Sequence, residues 1–518
     1  MQRVQLAAAL AASVLLASCS GGGSGKQFTN VVPPAGNPGT VAPAQKLTIT
    51  GIGDSLTAGT QSSGTMGAAL PGDLVHPLPS GLGFRLPTQA TQEHGFFALL
   101  WEQANGVDIT TISDPTKSPL PLLTPPGVGG LLAPTTSGFP LPVTNYCDAN
   151  QIPANNFATA LSLRLNPNMN PWDVGVPGIT MHEALFMTGA IGDCTVNGAN
   201  APATFVALNS LVNGESQNFW PVLAGFGQGV TMVDAAVSLH AQVATVYLGS
   251  NDLLKVAFAG GAAPVTAPES IHDDVKSIIL KLQGAGSKVA VANLVDVMGA
   301  ATFIPQPAYQ PTLQAYITAV LESPPNNLPA AIAVPIATQY STAYAAQESA
   351  QVALGANGYF TINALFKTLQ SAAAQIPAHA PPVAPTLSGG DFVAGALADN
   401  VKALNLAYSQ AITAAVSETN AALVDTYSDF AAIEANNGIK VVNAKCCSLR
   451  YRGGFFSLDG LHPSNTGYAI LADEFITALN AKYSLGIPLV DPNVVYQTDP
   501  YGPGSPVSVV GSVLRSTQ

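Results

Sequence analysis

The chain has 518 residues, of which 47% are apolar and only 9% charged. It is long enough for two or three ordinary domains or one heavily decorated one, and too apolar to be a disordered chain. Its net charge is −12 at pH 7, and its 18 Lys and Arg residues are scattered rather than clustered. Nucleic-acid binding needs a cationic face to displace counterions, so that class of partner is excluded.

Arg3 precedes an apolar stretch from Leu6 to Ala17, which is too short for a comfortable membrane span and has the size of an export-signal core. It ends Leu16-Ala17-Ser18-Cys19, which resembles the bacterial lipobox. The resemblance implies removal of residues 1–18, a lipid on Cys19, and a protein anchored in the cell envelope. Loss of Arg3 would take the net charge to −13. The plainer alternative is an ordinary secretory peptide with a cysteine near its end. Ser20 supplies no Asp-type retention signal, which points to the outer membrane. Residues 19–46 are rich in Gly, Pro, Asn and Thr and read as a flexible linker. No later stretch reaches the ~18 uninterrupted apolar residues of a spanning helix.

A folded domain is expected over 47–483, with a tail at 484–518. Leu47 to Ile52 reads as a strand that ends in Gly53-Asp54-Ser55-Leu56, where a helix should begin. Residues 61–145 are dominated by Gly, Pro and Leu without a regular period and read as long ordered loops. Val243 to Leu248 is a second strand. Ile271, Val275, Ile278, Ile279 and Leu282 then repeat at helical spacing, and Val289 to Val295 is a third strand. Strand, helix, strand is a βαβ unit, so the sheet should be parallel. Residues 305–395 are Ala-rich with Pro breaks and read as a helical insertion, with helices near 309–321, 341–354 and 361–375. A long helix near 397–418, a strand at Ala422 to Asp425 and a helix from Asn465 to Tyr483 complete the domain. The turn-rich tail could wrap the domain or hang free.

Besides Cys19, the chain contains Cys147, Cys194, Cys446 and Cys447. An even number in an exported protein suggests two disulfides, and pairings of Cys147 and Cys194 with the adjacent pair avoid a strained bridge between neighbours. A zinc site is the weaker alternative, because these thiols lack CxxC spacing and nearby histidines.

Four segments carry chemistry: Gly53-Asp54-Ser55-Leu56, Val176-Pro177-Gly178-Ile179-Thr180, Gly249-Ser250-Asn251-Asp252 and Asp459-Gly460-Leu461-His462-Pro463. In this order they resemble the SGNH, or GDSL-type, serine hydrolases. The resemblance implies an α/β fold of three layers, αβα, with a central parallel flavodoxin-like sheet and large loop and helical insertions. It also implies that the site lies above the carboxyl ends of the strands. Ser55 would attack an ester carbonyl, His462 would move the proton, and Asp459 would fix the imidazole tautomer. The backbone N–H groups of Ser55 and Gly178 and the side-chain amide of Asn251 would form the oxyanion hole. Asn251-Asp252 also has a plainer reading, as a helix N-cap.

Other motifs fail. The nucleophile segment lacks the GxSxG elbow, His182-Glu183 lacks the second histidine of HExxH, and Gly225 to Gly229 is not GxGxxG. His76, His94, His240, His272 and His379 stand alone. No cofactor or metal is called for, and nothing bears on the oligomeric state. Ser55 and Gly178 are separated by 123 residues and Asn251 and Asp459 by 208, so long apolar insertions adjoin the site. They are expected to wall a deep cleft for lipid-like or medium-to-long acyl esters. A carbohydrate deacetylase, with Tyr451, Phe455 and Phe456 as sugar-stacking rings, is one alternative. A surface lipoprotein that binds a partner and keeps a vestigial site is another.

Overall fold

A computed structural model describes residues 47–61, 91–122, 164–187 without 167–168, and 222–499 without 227–228, 323–325, 437, 442–444, 451–452 and 458. The leader, Cys19 and most of the linker lie outside these residues, as do Cys147 and Cys194. Of the adjacent cysteine pair only the Cys447 side chain is described, and it is buried.

The central sheet grows from short runs without internal charge. Strands β1 (Ile49–Gly53) and β2 (Val243–Tyr247) are buried along their whole length, and β3 (Lys288–Ala292) from its second residue on. Burial on both faces is what a parallel sheet covered by helices requires. A small antiparallel sheet follows in the chain, made of β4 (Phe303–Pro305), β5 (Tyr359–Thr361) and β6 (Phe392–Val393). Strand β7 (Ala422–Val424) then returns to the main sheet, whose order is β1-β2-β3-β7 with every pair parallel. Strands β8 (Ile439–Val441) and β9 (Lys445–Cys447) form a hairpin.

On the outer side of β1, Asp173 bridges Gly51 in parallel. Gly51 N–H donates to Trp172 O, and Val174 and Val176 N–H donate to Gly51 O and Gly53 O. The segment carrying Gly178 is thereby laid along the strand that carries Ser55.

The fold is a three-layer α/β sandwich. Helices Met232–Ser238, Pro268–Gly284 and Gly395–Glu418 pack together with the sheet, and Phe96–Asn105 packs with Asn465–Tyr483. Phe96 and Phe475 stack with ring centroids 4.8 Å apart. The helix Phe96–Asn105 corrects the expectation of loops throughout 61–145. Its Phe96, Phe97, Leu99 and Leu100 are buried, a dense apolar stripe that tertiary packing turns into helix despite the Gly- and Pro-rich flanks.

The insertion at 305–395 forms its three helices, Gln306–Glu322, Ala330–Gln351 and Ile362–Gln375. The second starts earlier than its sequence suggests. Pro335 sits in its second turn, where the ring costs one backbone hydrogen bond without stopping the helix. Tyr309, Leu313, Tyr344, Phe360 and Leu365 make a core separate from that of the sandwich. The described part of the tail, to residue 499, lies on the domain: Pro492–Thr498 is helical and packs on Asn465–Tyr483. Among the described residues, no helix is long and apolar enough to cross a membrane.

Candidate active site

Strand β1 ends at Gly53, and the chain turns at once. Ala58 N–H donates to Asp54 O and Thr60 N–H to Ser55 O, so Ser55 sits in a tight turn beyond the strand rather than at the start of a helix. The turn holds its hydroxyl at the carboxyl edge of the sheet.

The second segment of the pair arrives from the far end of the chain. His462 Nε2 lies 2.8 Å from Ser55 Oγ, and His462 Nδ1 lies 2.6 Å from Asp459 Oδ2. With Nδ1–H donating to the carboxylate, Nε2 carries the lone pair that faces the serine. Asp459 is held from several sides. Its Oδ1 accepts from Leu461 N–H and His462 N–H, both at 2.9 Å, and from Ser457 Oγ at 3.2 Å. Burial alone would push this carboxyl up. The adjacent His462 charge and the hydrogen bonds outweigh burial and hold it below the ordinary aspartate range, so it is a carboxylate at neutral pH. The loop is closed by Ser457 N–H on His462 O.

Gly178 and Asn251, two further expected site residues, belong to segments joined by a hydrogen bond. Gly178 has φ +88°, in the left-handed region that suits glycine. Among the described residues, the N–H groups of Ser55 and Gly178 donate to no other protein atom. Asn251 is buried in the first turn of the helix Ser250–Phe258. Its Nδ2 donates to Ile179 O at 3.0 Å and to Asp54 Oδ2 at 3.2 Å. Both amide hydrogens are thus engaged within the protein. Asp54 also accepts from Leu56 N–H at 2.9 Å, and burial raises its carboxyl to about 6.

Asp252 caps a helix other than its own. Its Oδ2 accepts from Met181 N–H at 3.0 Å and its Oδ1 from Thr266 Oγ1 at 3.0 Å, and burial raises it to about 6. Asp54 in this role, Asp252 as an interhelical cap, Glu183 and Lys255 escaped the sequence reading. Only the repeated acidic character of the motifs hinted at the first two.

The family model GDSL-like Lipase/Acylhydrolase matches residues 188–475. The chain belongs to this family. It is therefore an ester-hydrolysing enzyme by family. The match spans Asn251, Asp459 and His462 but starts after Ser55 and Gly178; Ser55 is brought to His462 by the 2.8 Å contact, and Gly178 precedes Ile179, whose carbonyl accepts from Asn251 Nδ2. No curated protein and no solved structure matches the chain.

A cleft of about 820 Å³, open mouth included, leads away from Ser55 and His462 in this GDSL hydrolase. Leu254, Val297, Phe430, Leu449, Phe456 and Leu461 supply most of its apolar wall, and Asp296 and Glu434 also line it. These residues come from the helices Ser250–Phe258 and Thr426–Ala435 that follow β2 and β7, from the turn after β3, and from the segment 449–462. No described residue of the insertions at 61–145 or 305–395 lines the cleft, and residues 62–90 and 123–145 lie outside the described residues. The helical insertion spends its apolar faces on its own core, which is why it builds no wall here.

Two other described histidines are engaged away from the cleft. His182 Nδ1 lies 2.8 Å from Asp274 Oδ2, and His272 contacts Asp273 and Glu418.

Proposed function

We propose that this GDSL hydrolase is a serine esterase for lipid-like or medium-to-long acyl esters and works through an acyl-enzyme. The contact that carries the reading is His462 Nε2 at 2.8 Å from Ser55 Oγ, at the end of an apolar cleft. Ser55 Oγ adds to the ester carbonyl while His462 takes its proton. Charge moves onto the carbonyl oxygen, where the N–H groups of Ser55 and Gly178 and the Asn251 amide receive it. Collapse expels the alcohol, which takes the proton from His462. Water, deprotonated by His462, then adds to the acyl carbon and frees the acid and Ser55. Asp459 stays ionised throughout and steadies the imidazolium.

The apolar wall supports an acyl chain rather than a sugar ring. Phe455 is fully buried and packs edge-on against Phe430, with centroids 4.9 Å apart, so it offers no face for stacking. In the same reading the chain is exported and anchored in the outer membrane through Cys19, which the lipobox-like leader supports.

Fluorophosphonate labelling and a p-nitrophenyl ester series test the proposal together. The wild type should label and Ser55→Ala should not, and octanoate should be turned over faster than acetate. Equal labelling of the two proteins would remove Ser55 from the chemistry, and a clear preference for acetate would remove the lipid-like substrate.

A further inference from the structure

Beneath the oxyanion loop lies a charge pair that the reaction does not use directly. Lys255 Nζ is 3.2 Å from Glu183 Oε2 and 3.5 Å from Oε1, and the two side chains are 8% and 3% exposed. Desolvation of two charges offsets most of their attraction, so a buried pair is weak evidence for stability and is better explained by a geometry it enforces. The same Glu183 Oε2 accepts from Thr180 N–H at 2.9 Å and Thr180 Oγ1 at 2.8 Å. Thr180 Oγ1 in turn caps Glu183 N–H, closing a capping box on the helix Met181–Phe186. Glu183 therefore ties the residue two positions after Gly178 to the helix that carries Asn251.

That helix grips the loop with three side chains from adjacent turns. Asn251 holds Ile179 O, Asp252 holds Met181 N–H, and Lys255 holds Thr180 through Glu183. At its other end the loop is fixed to β1 by Val176 N–H on Gly53 O. Gly178 is suspended between the strand that presents the nucleophile and the helix that presents the amide.

We propose that Glu183 and Lys255 are positioning residues of the oxyanion hole, setting the separation between Gly178 N–H and the Asn251 amide. The proposal rests on the esterase reading above. Displacing one donor, rather than deleting it, should lower kcat by about 10–100-fold, since outright loss of a donor costs ~100–1,000-fold. KM should change little, because neither residue lines the cleft.

The test compares Lys255→Met, Lys255→Arg and the double variant Glu183→Gln/Lys255→Met with wild type on an acyl ester and its thiono analogue. Rates are normalised to sites titrated with fluorophosphonate, so unfolded protein does not count. Sulfur is a poorer hydrogen-bond acceptor than oxygen, so the ester-to-thionoester rate ratio reports on the hole itself. The double variant removes both charges of the pair together and should melt near the wild-type temperature. We expect it and Lys255→Met to lose kcat and to show a ratio at least fivefold lower, with Lys255→Arg recovering part of both. Variants with wild-type kcat and ratio per titrated site would overturn the positioning role, whatever happens to their melting temperature. A wild type that neither labels nor turns over ester would instead overturn the esterase reading.

Discussion

Asp459 shows how much of a site is decided at single residues. One carboxylate serves two backbone N–H groups, the Ser457 hydroxyl and the His462 ring, so the imidazole has one orientation open to it. The turn between acid and base depends on Gly460, at φ +66°. A Cβ there would stand 2.7 Å from Thr302 N and 3.0 Å from Ala301 C, and Thr302 N–H donates to Gly460 O. Gly460→Ala should therefore push the loop off this backbone and displace His462. A shift of about 1 Å can cost ~100-fold, so kcat/KM should fall at least about tenfold; unchanged steady-state kinetics would show that the loop absorbs the methyl. Ser55, Asn251, Asp459 and His462 were legible in sequence because their chemistry demands particular residue types beside turn residues. Glu183 and Lys255 were not, since a buried charge makes sense only once its partner, 72 residues away, is beside it.

Among the elements, the long strands and helices of the sandwich followed their hydrophobic periods, and Asn465–Tyr483 was read at its observed bounds. The antiparallel sheet β4-β5-β6 was not foreseen, because strands of two or three residues carry too little alternation to register. The sequence left open whether the tail wraps the domain or hangs free, and one side chain ties its described part down. Asp499 is fully buried and its Oδ2 accepts from Thr466 N–H at 2.8 Å and Thr466 Oγ1 at 2.6 Å. It thus satisfies the start of the helix that follows the His462 loop. Asp499→Ala would strand both donors, at a cost of about 1–3 kcal/mol. Urea unfolding should show the midpoint falling with an unchanged slope; a wild-type midpoint would mean that water replaces the carboxylate without loss.

For the whole molecule, a low-charge interior makes buried acids consequential. Burial raises Asp54 and Asp252 to about 6 and Glu102, Glu348 and Asp473 to about 7. A carboxyl with a raised pKa binds its proton more tightly in the folded state, so the stability it contributes is complete below its unfolded value near 4. That stability is lost as pH rises through 6 and 7. His272, raised chiefly by its hydrogen bond to Asp273, acts in the same direction. Asp459 acts oppositely, but its contribution fails only at strongly acidic pH, through its lowered pKa. The melting temperature should accordingly be higher at pH 5 than at pH 8, as differential scanning calorimetry can establish; a temperature that climbs across this interval would contradict the burial of these acids.

The contact between His462 and Ser55 joins residues 407 positions apart. On a ribosome the serine at position 55 is made long before its base at position 462. Between them must come β2, β3 and β7 of the main sheet and the whole helical insertion. A nascent or prematurely terminated chain therefore displays an inert alcohol, whatever else it has folded. The Ser55 hydroxyl meets its base only once the segment 457–463 has been made and seated against the turn that follows β1.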